Sequence, residues 1–109
     1  MAANYNETRI YNIPFETVIY KLDYLPAYLK YKMTAKQQIN MGMAYSFSHG
    51  VSFTSWGENI TINVFSLQQG TQISIWSECS FPTQLIDWGK NRSNVEELFN
   101  YIVAPMYYQ

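Results

Sequence analysis

Between Tyr28 and Cys79, apart from a break at His49 to Gly57 that carries two glycines and reads as a long connection, the apolar residues recur at every second position, and on either side of that stretch they recur at every third and fourth. A period of two sets one face of a pleated strand against a core, and a period near 3.6 does the same for one stripe of a helix. A chain patterned this way is restricted to a sheet covered by helices. The cleanest alternation runs through Ile39, Met41, Met43, Tyr45 and Phe47, with Asn40, Gly42, Ala44, Ser46 and Ser48 between them. Ile60, Ile62 and Val64 mark the next strand. Ile73, Ile75 and Cys79 mark the last, after a hairpin turn at Gln68-Gln69-Gly70. Leu29, Tyr31, Met33 and Ala35 predict an earlier strand that ends in a polar turn at Lys36 to Gln38. A short first strand, Thr8 to Ile13 with Ile10 on one face, is closed by Pro14, which lacks a backbone donor.

Phe15, Val18, Ile19, Leu22 and Leu25 form one helical stripe between Pro14 and Pro26. Val95, Leu98, Phe99, Ile102, Val103 and Met106 form another, behind Ser93 and Glu96 at capping-box spacing. At 109 residues the chain has room for one core, so 1–109 is read as a single domain. Residues 1–7 are polar and aperiodic and are expected to form a disordered arm. The order predicts an α+β, two-layer β-α-β-β-β-β-α domain: an antiparallel five-stranded sheet with two helices on one face. Its core is expected to hold Met41, Met43, Ile62, Ile75, Leu98 and Phe99.

Composition narrows the function classes. One Cys cannot close an internal disulfide, and one Cys with one His is too few for a structural zinc site, so no metal and no cofactor is expected. A net charge of −1 is the wrong balance for a domain that neutralises phosphates, which argues against nucleic acid. No run approaches the 18 apolar residues of a membrane span, and no basic start precedes an apolar segment, so the expected setting is cytoplasmic. Aromatic residues make up 17% of the chain and charged ones only 14%; nine Asn and seven Gln carry much of the polarity. Such a surface is less protected from association than a charged one.

Two features are candidates for function. On the sheet face away from the helices, Phe65, Leu67 and Trp76 stand among amides and hydroxyls, a mixture that marks contact surfaces. The second candidate is a loop site made of Trp56, Glu58, Asp87, Trp88, Lys90 and Asn91, with His49 nearby. Its expected role is structural. Each Trp plugs the open end between helices and sheet, a glycine of positive φ makes each bend, Glu58 pairs with Lys90, and Asp87 and Asn91 fasten the turn through backbone N–H groups. His49 is expected to be a solvated loop residue, and Cys79 a buried, inert thiol.

The segments Ser55-Trp56-Gly57-Glu58-Asn59-Ile60 and Ile86-Asp87-Trp88-Gly89-Lys90-Asn91 together resemble a family of uncharacterised small bacterial proteins with paired SWGE and DWGKN segments. The resemblance spans Ile10 to about Val103 and implies a fold but no activity. The predicted topology is also similar to one half of the TATA-box-binding protein and to a shortened helix-grip, or Bet v 1-like, architecture. Architecture does not carry function. The expected function is a non-enzymatic binding or assembly module that forms a homodimer, or holds a protein partner, through the open sheet face. The alternative is a pocket for a small apolar ligand lined by Met33, Met41 and Met43; a third reading is an enzyme with its site at the Trp-Gly loops. A face rich in amides, hydroxyls and aromatic rings also suits a sugar.

Overall fold

The computed structural model describes residues 2–50, 56–81 and 84–105. Ser55, Pro82, Thr83 and the segment 106–109, including Met106 of the expected helical stripe, lie outside the described residues. The elements are β1 (Asn4–Tyr11), α1 (Phe15–Asp23), α2 (Leu25–Tyr28), β2 (Tyr31–Ile39), β3 (Gly42–His49), β4 (Glu58–Leu67), β5 (Gly70–Cys79) and α3 (Lys90–Val103). All pairings are antiparallel and the sheet order is β1-β5-β4-β3-β2, so β1 and β2 are its edges. The class is the α+β fold expected, with α2 as an additional single turn.

The inward face follows from strict alternation. Ile60, Ile62 and Val64 of β4 and Ile73 and Ile75 of β5 are buried beneath Val18 and Leu22 of α1 and Val95, Leu98, Phe99 and Ile102 of α3. Both helical stripes therefore reach the sheet as expected, although Val103 is exposed. The two helices are tied at one end by Lys21. Its ammonium donates to the Tyr101 carbonyl at 3.1 Å and to the Ala104 carbonyl, and the Tyr101 hydroxyl returns a 2.6 Å bond to the Lys21 carbonyl. A lysine serves the last carbonyls of α3 here because they have no partner within the helix.

The expected arm at residues 1–7 is corrected: Asn4 to Glu7 already belong to β1 and pair with Ile75 to Glu78 of β5. Its parity is also the reverse of the expected one. Tyr5 and Tyr11 pack against the core and the Arg9 guanidinium lies 4.3 Å from the Phe99 ring centroid, whereas Ile10 is 62% exposed on the open face. Amphipathic side chains bury their bodies while their polar tips stay wet, so this strand lacks an apolar signature.

The β2–β3 hairpin is shifted as well. Pro26 does not end the helical region but lies in the first turn of α2, where its missing N–H costs nothing. The pairing of β2 shifts between Met33 and Ala35, a bulge that moves Lys36 to the helix side and Ala35 to the open face. Lys36 bridges Asp23 at 2.9 Å, and the Tyr45 hydroxyl donates to the same carboxylate at 2.9 Å. The expected turn at Lys36 to Gln38 is thus strand. The turn itself is Asn40-Met41, where Met41 takes φ 62° and is 71% exposed, so Met41 leaves the expected core and Met43 only borders it. Close packing explains the placement of Gly42: a Cβ there would lie 2.0 Å from the Val64 carbonyl oxygen.

Candidate functional site

On β4 and β5 the polar side chains fall on two faces with opposite fates. On the open face the register sets Asn6, Trp76, Thr61 and Ser46 side by side in one row. Asn59 and Glu78 share the row on one side of it, and Thr8, Ser74 and Asn63 the row on the other. All of these but Ser46 line a shallow depression of about 290 Å³ whose one aromatic member is Trp76. The Thr8 and Ser74 hydroxyls bond each other at 2.7 Å across β1 and β5, while Asn6, Asn59 and Thr61 are exposed. Trp76, 42% exposed, stands among hydroxyls, amides and the carboxylate of Glu78.

The three residues expected to form an apolar partner surface are not brought together. Phe65 is opposite Gln72, and Leu67 is opposite Gly70, two and three rows from Trp76, with Ser74 and Asn63 between them. Phe65 and Leu67 instead share an end of the face with Ile10 and Ile39. Near that end, Phe15, Gln38, Met41, Gly42, Met43 and Ser66 line a second depression of about 310 Å³, which draws in Met41 and Met43 of the expected apolar pocket but not Met33.

On the helix side, the polar groups close on one another. Glu58 is only 3% exposed; its Oε1 accepts from the Asn94 amide at 2.7 Å and lies 3.2 Å from His49 Nδ1. The Asn94 amide also reaches Ser77 Oγ at 3.3 Å, and Ser77 donates to Asn91 Oδ1 at 2.8 Å. The Asn91 amide donates to the Ala3 carbonyl at 3.0 Å and to Asp87 Oδ2 at 2.6 Å. Among the described residues every buried side-chain nitrogen and oxygen has a partner. Asp87 also accepts from the Gly89 and Asn91 backbone N–H groups at 2.9 and 3.3 Å, fastening the bend as expected. Burial raises the Asp87 pKa, but the bonds from Gly89 and from the side chain and backbone of Asn91 outweigh it and hold the carboxyl below its ordinary value.

This network overturns several expectations at the loop end. Glu58 does not pair with Lys90, which is exposed; it pairs with His49 and Asn94. His49 is the last residue of β3, stacked on Tyr31 with ring centroids 4.3 Å apart, rather than a solvated loop residue. Neither indole is a plug. Trp88 is 86% exposed and Trp56 67% exposed, the latter stacked on Phe81 at 5.8 Å, because the amides of Asn91 and Asn94 fill the end of the two layers that the rings were expected to fill. The bends themselves are as expected, with Gly57 at φ 84° and Gly89 at φ 79°, but Trp88 also takes φ 55°. Helix α3 starts at Lys90 with Gly89 as N-cap, one turn before the expected capping box, and Asp87 supplies the capping oxygens. Cys79 is buried, as expected.

Sequence reasoning missed Asn6, Thr8 and Glu78 as members of the open-face site. The alternation of Tyr5, Glu7, Arg9 and Tyr11 is the signal that places Asn6 and Thr8 there. No helix among the described residues is long and apolar enough to cross a membrane. Neither a family model nor a curated protein sequence matches the chain.

Proposed function

We propose that the chain is a non-catalytic binding module whose open sheet face takes a neutral, hydroxyl-rich ligand of the saccharide class over Trp76. One observation carries this reading: a single exposed indole is ringed by Asn6, Thr61, Asn59, Asn63 and Ser74 in a depression of about 290 Å³. An indole face offers the flat apolar surface that the C–H side of a sugar ring needs, and amides and hydroxyls both donate and accept. The depression is at the small end of ligand sites, about 300–1,000 Å³, which fits one or two sugar rings and weak binding. Glu78 in the wall accepts from hydroxyls and repels anionic sugars. The test is isothermal titration with neutral glucan, mannan and xylan oligosaccharides beside oligogalacturonate. A neutral oligosaccharide bound by the parent and lost in Trp76→Ala supports the reading; binding of oligogalacturonate alone, or binding unaffected by Trp76→Ala, contradicts it.

Self-association through the same face is the second reading, favoured by the apolar end at Ile10, Ile39, Phe65 and Leu67. It predicts a dimer that Phe65→Ser dissolves.

A further inference from the structure

The two edges of the sheet are built differently. Along β2 the ladder is broken between Met33 and Ala35, and Lys32 and Lys36 stand on it. Bulges and lysines are the usual means of keeping an edge from pairing with another chain. Along β1 the pairing with β5 runs unshifted from Asn4↔Glu78 to Tyr11↔Thr71, and β1 contains neither lysine nor proline. The carbonyls of Ala3 and Ile13 accept from the β5 side, from Cys79 N–H at 3.0 Å and from the Thr71 hydroxyl at 2.6 Å. Backbone direction alternates along a strand, so the odd-numbered residues of β1 bond β5 and Asn4, Asn6, Thr8 and Ile10 turn their N–H and C=O groups outward.

We infer that this edge pairs antiparallel with β1 of a second copy, about a two-fold axis at Thr8. In that register Thr8 meets the second copy's Thr8 and Asn6 meets its Ile10, which engages the outward backbone groups. Glu7 then stands directly opposite the second copy's Arg9, and Tyr5 opposite its Tyr11. A two-fold axis at Glu7 sets Glu7 against itself, and one at Arg9 sets Arg9 against itself; axes at Asn6 or Ile10 leave both charges opposite uncharged residues. Glu7 and Arg9 bond each other within the chain, with side chains 28% and 36% exposed, so each still has room for a partner's charge. Opposite charges directly across an antiparallel pair stabilise it, and like charges oppose it. Helix α3 packs on both β1 and β5, so the pairing brings the two copies of α3 toward each other across the axis. The product is one continuous sheet with both Trp76 depressions on the same face. This interface goes beyond the ligand reading and does not depend on it.

Sedimentation equilibrium of the whole chain over about 1 μM to 1 mM tests the inference, since that range spans weak specific contacts. The parent is expected to dimerise. Glu7→Arg alone and Arg9→Glu alone are each expected to be monomeric, and an equimolar mixture of the two to form a heterodimer, because each strand then meets opposite charge at both positions. Thr8→Pro removes an outward donor at an edge position that tolerates proline and is expected to be monomeric with an unchanged circular dichroism spectrum. In the parent, the amide protons of Asn6, Thr8 and Ile10 are expected to exchange more slowly as concentration rises. A monomer throughout the range, amide exchange at those positions that is independent of concentration, or a dimer that survives Thr8→Pro and dissolves in Phe65→Ser would overturn it.

Discussion

The two faces of β4 and β5 carry polar residues of similar kinds and use them in opposite ways. On the helix side Glu58, Ser77, Asn91 and Asn94 are buried and bonded to one another, to His49, to Asp87 and to the Ala3 carbonyl. On the open side Asn59, Thr61, Asn63 and Ser74 take the parity opposite to Glu58 and Ser77 along the same strands, around a half-exposed indole. A polar group whose bonds are closed inside the protein holds the fold, because losing its partner leaves it desolvated and unpaired. A polar group that faces water can exchange that water for a ligand at little cost to stability. Residue type alone therefore does not separate polar positions closed inside the protein from those open to water; the parity of the strand does.

The largest expected effect belongs to the core that both faces share. Leu98→Ala is expected to cost roughly 2–5 kcal/mol in urea melts, since Leu98 is fully buried between α3 and the sheet. A change below about 0.5 kcal/mol contradicts that packing. Next is the closed polar side. Asn94→Ala removes the amide that serves both Glu58 and Ser77 and is expected to cost about 1–3 kcal/mol. That loss lowers the melting temperature by roughly 4–8 °C per kcal/mol.

Acid exposes the same network at Asp87. Its folded pKa lies below its unfolded value, so the stability it contributes is present above the ordinary carboxyl value of 3.8 and is lost as pH falls through the folded pKa. Asp87→Asn is expected to flatten the acid limb of a plot of stability against pH below about pH 4, leaving the plateau near neutrality free of that dependence. An unchanged acid limb contradicts a role for Asp87 in the cap.

The smallest effect is expected at Trp88. The ring is exposed and its backbone is left-handed, a conformation that strains a bulky residue. Trp88→Phe is expected to change stability by less than about 0.5 kcal/mol, and Trp88→Gly to leave it equal or higher. A loss of 1 kcal/mol or more in Trp88→Phe would return the indole to a structural role.

Where polarity and periodicity agreed, the fold was legible. Ile60, Ile62, Val64, Ile73 and Ile75 mark the inward face, and Val18, Leu22, Leu98 and Phe99 mark the helices that cover it. The pattern misleads where residues of mixed character fill inward positions. Tyr5, Glu7, Arg9 and Tyr11 hid the start of β1, and Asn91 and Asn94 hid the first turn of α3, since neither set is apolar although both face the core. One inserted residue near Thr34 reversed the parity of β2, a slip that no period-two pattern reveals. The Trp-Gly segments were legible as bends through their glycines and illegible as surface, because a tryptophan beside a turn reads as core until the side chains that fill the space are known.

The most direct test compares the parent with Trp76→Ala and Asn94→Ala in one experiment: thermal melts of all three, and titration of all three with the neutral oligosaccharide the parent is expected to bind, well below the lowest melting temperature. The account predicts that Trp76→Ala melts with the parent and loses the ligand, while Asn94→Ala melts earlier and retains it. Ligand binding lost in Asn94→Ala and kept in Trp76→Ala would contradict it and place the binding site on the helix side of the sheet.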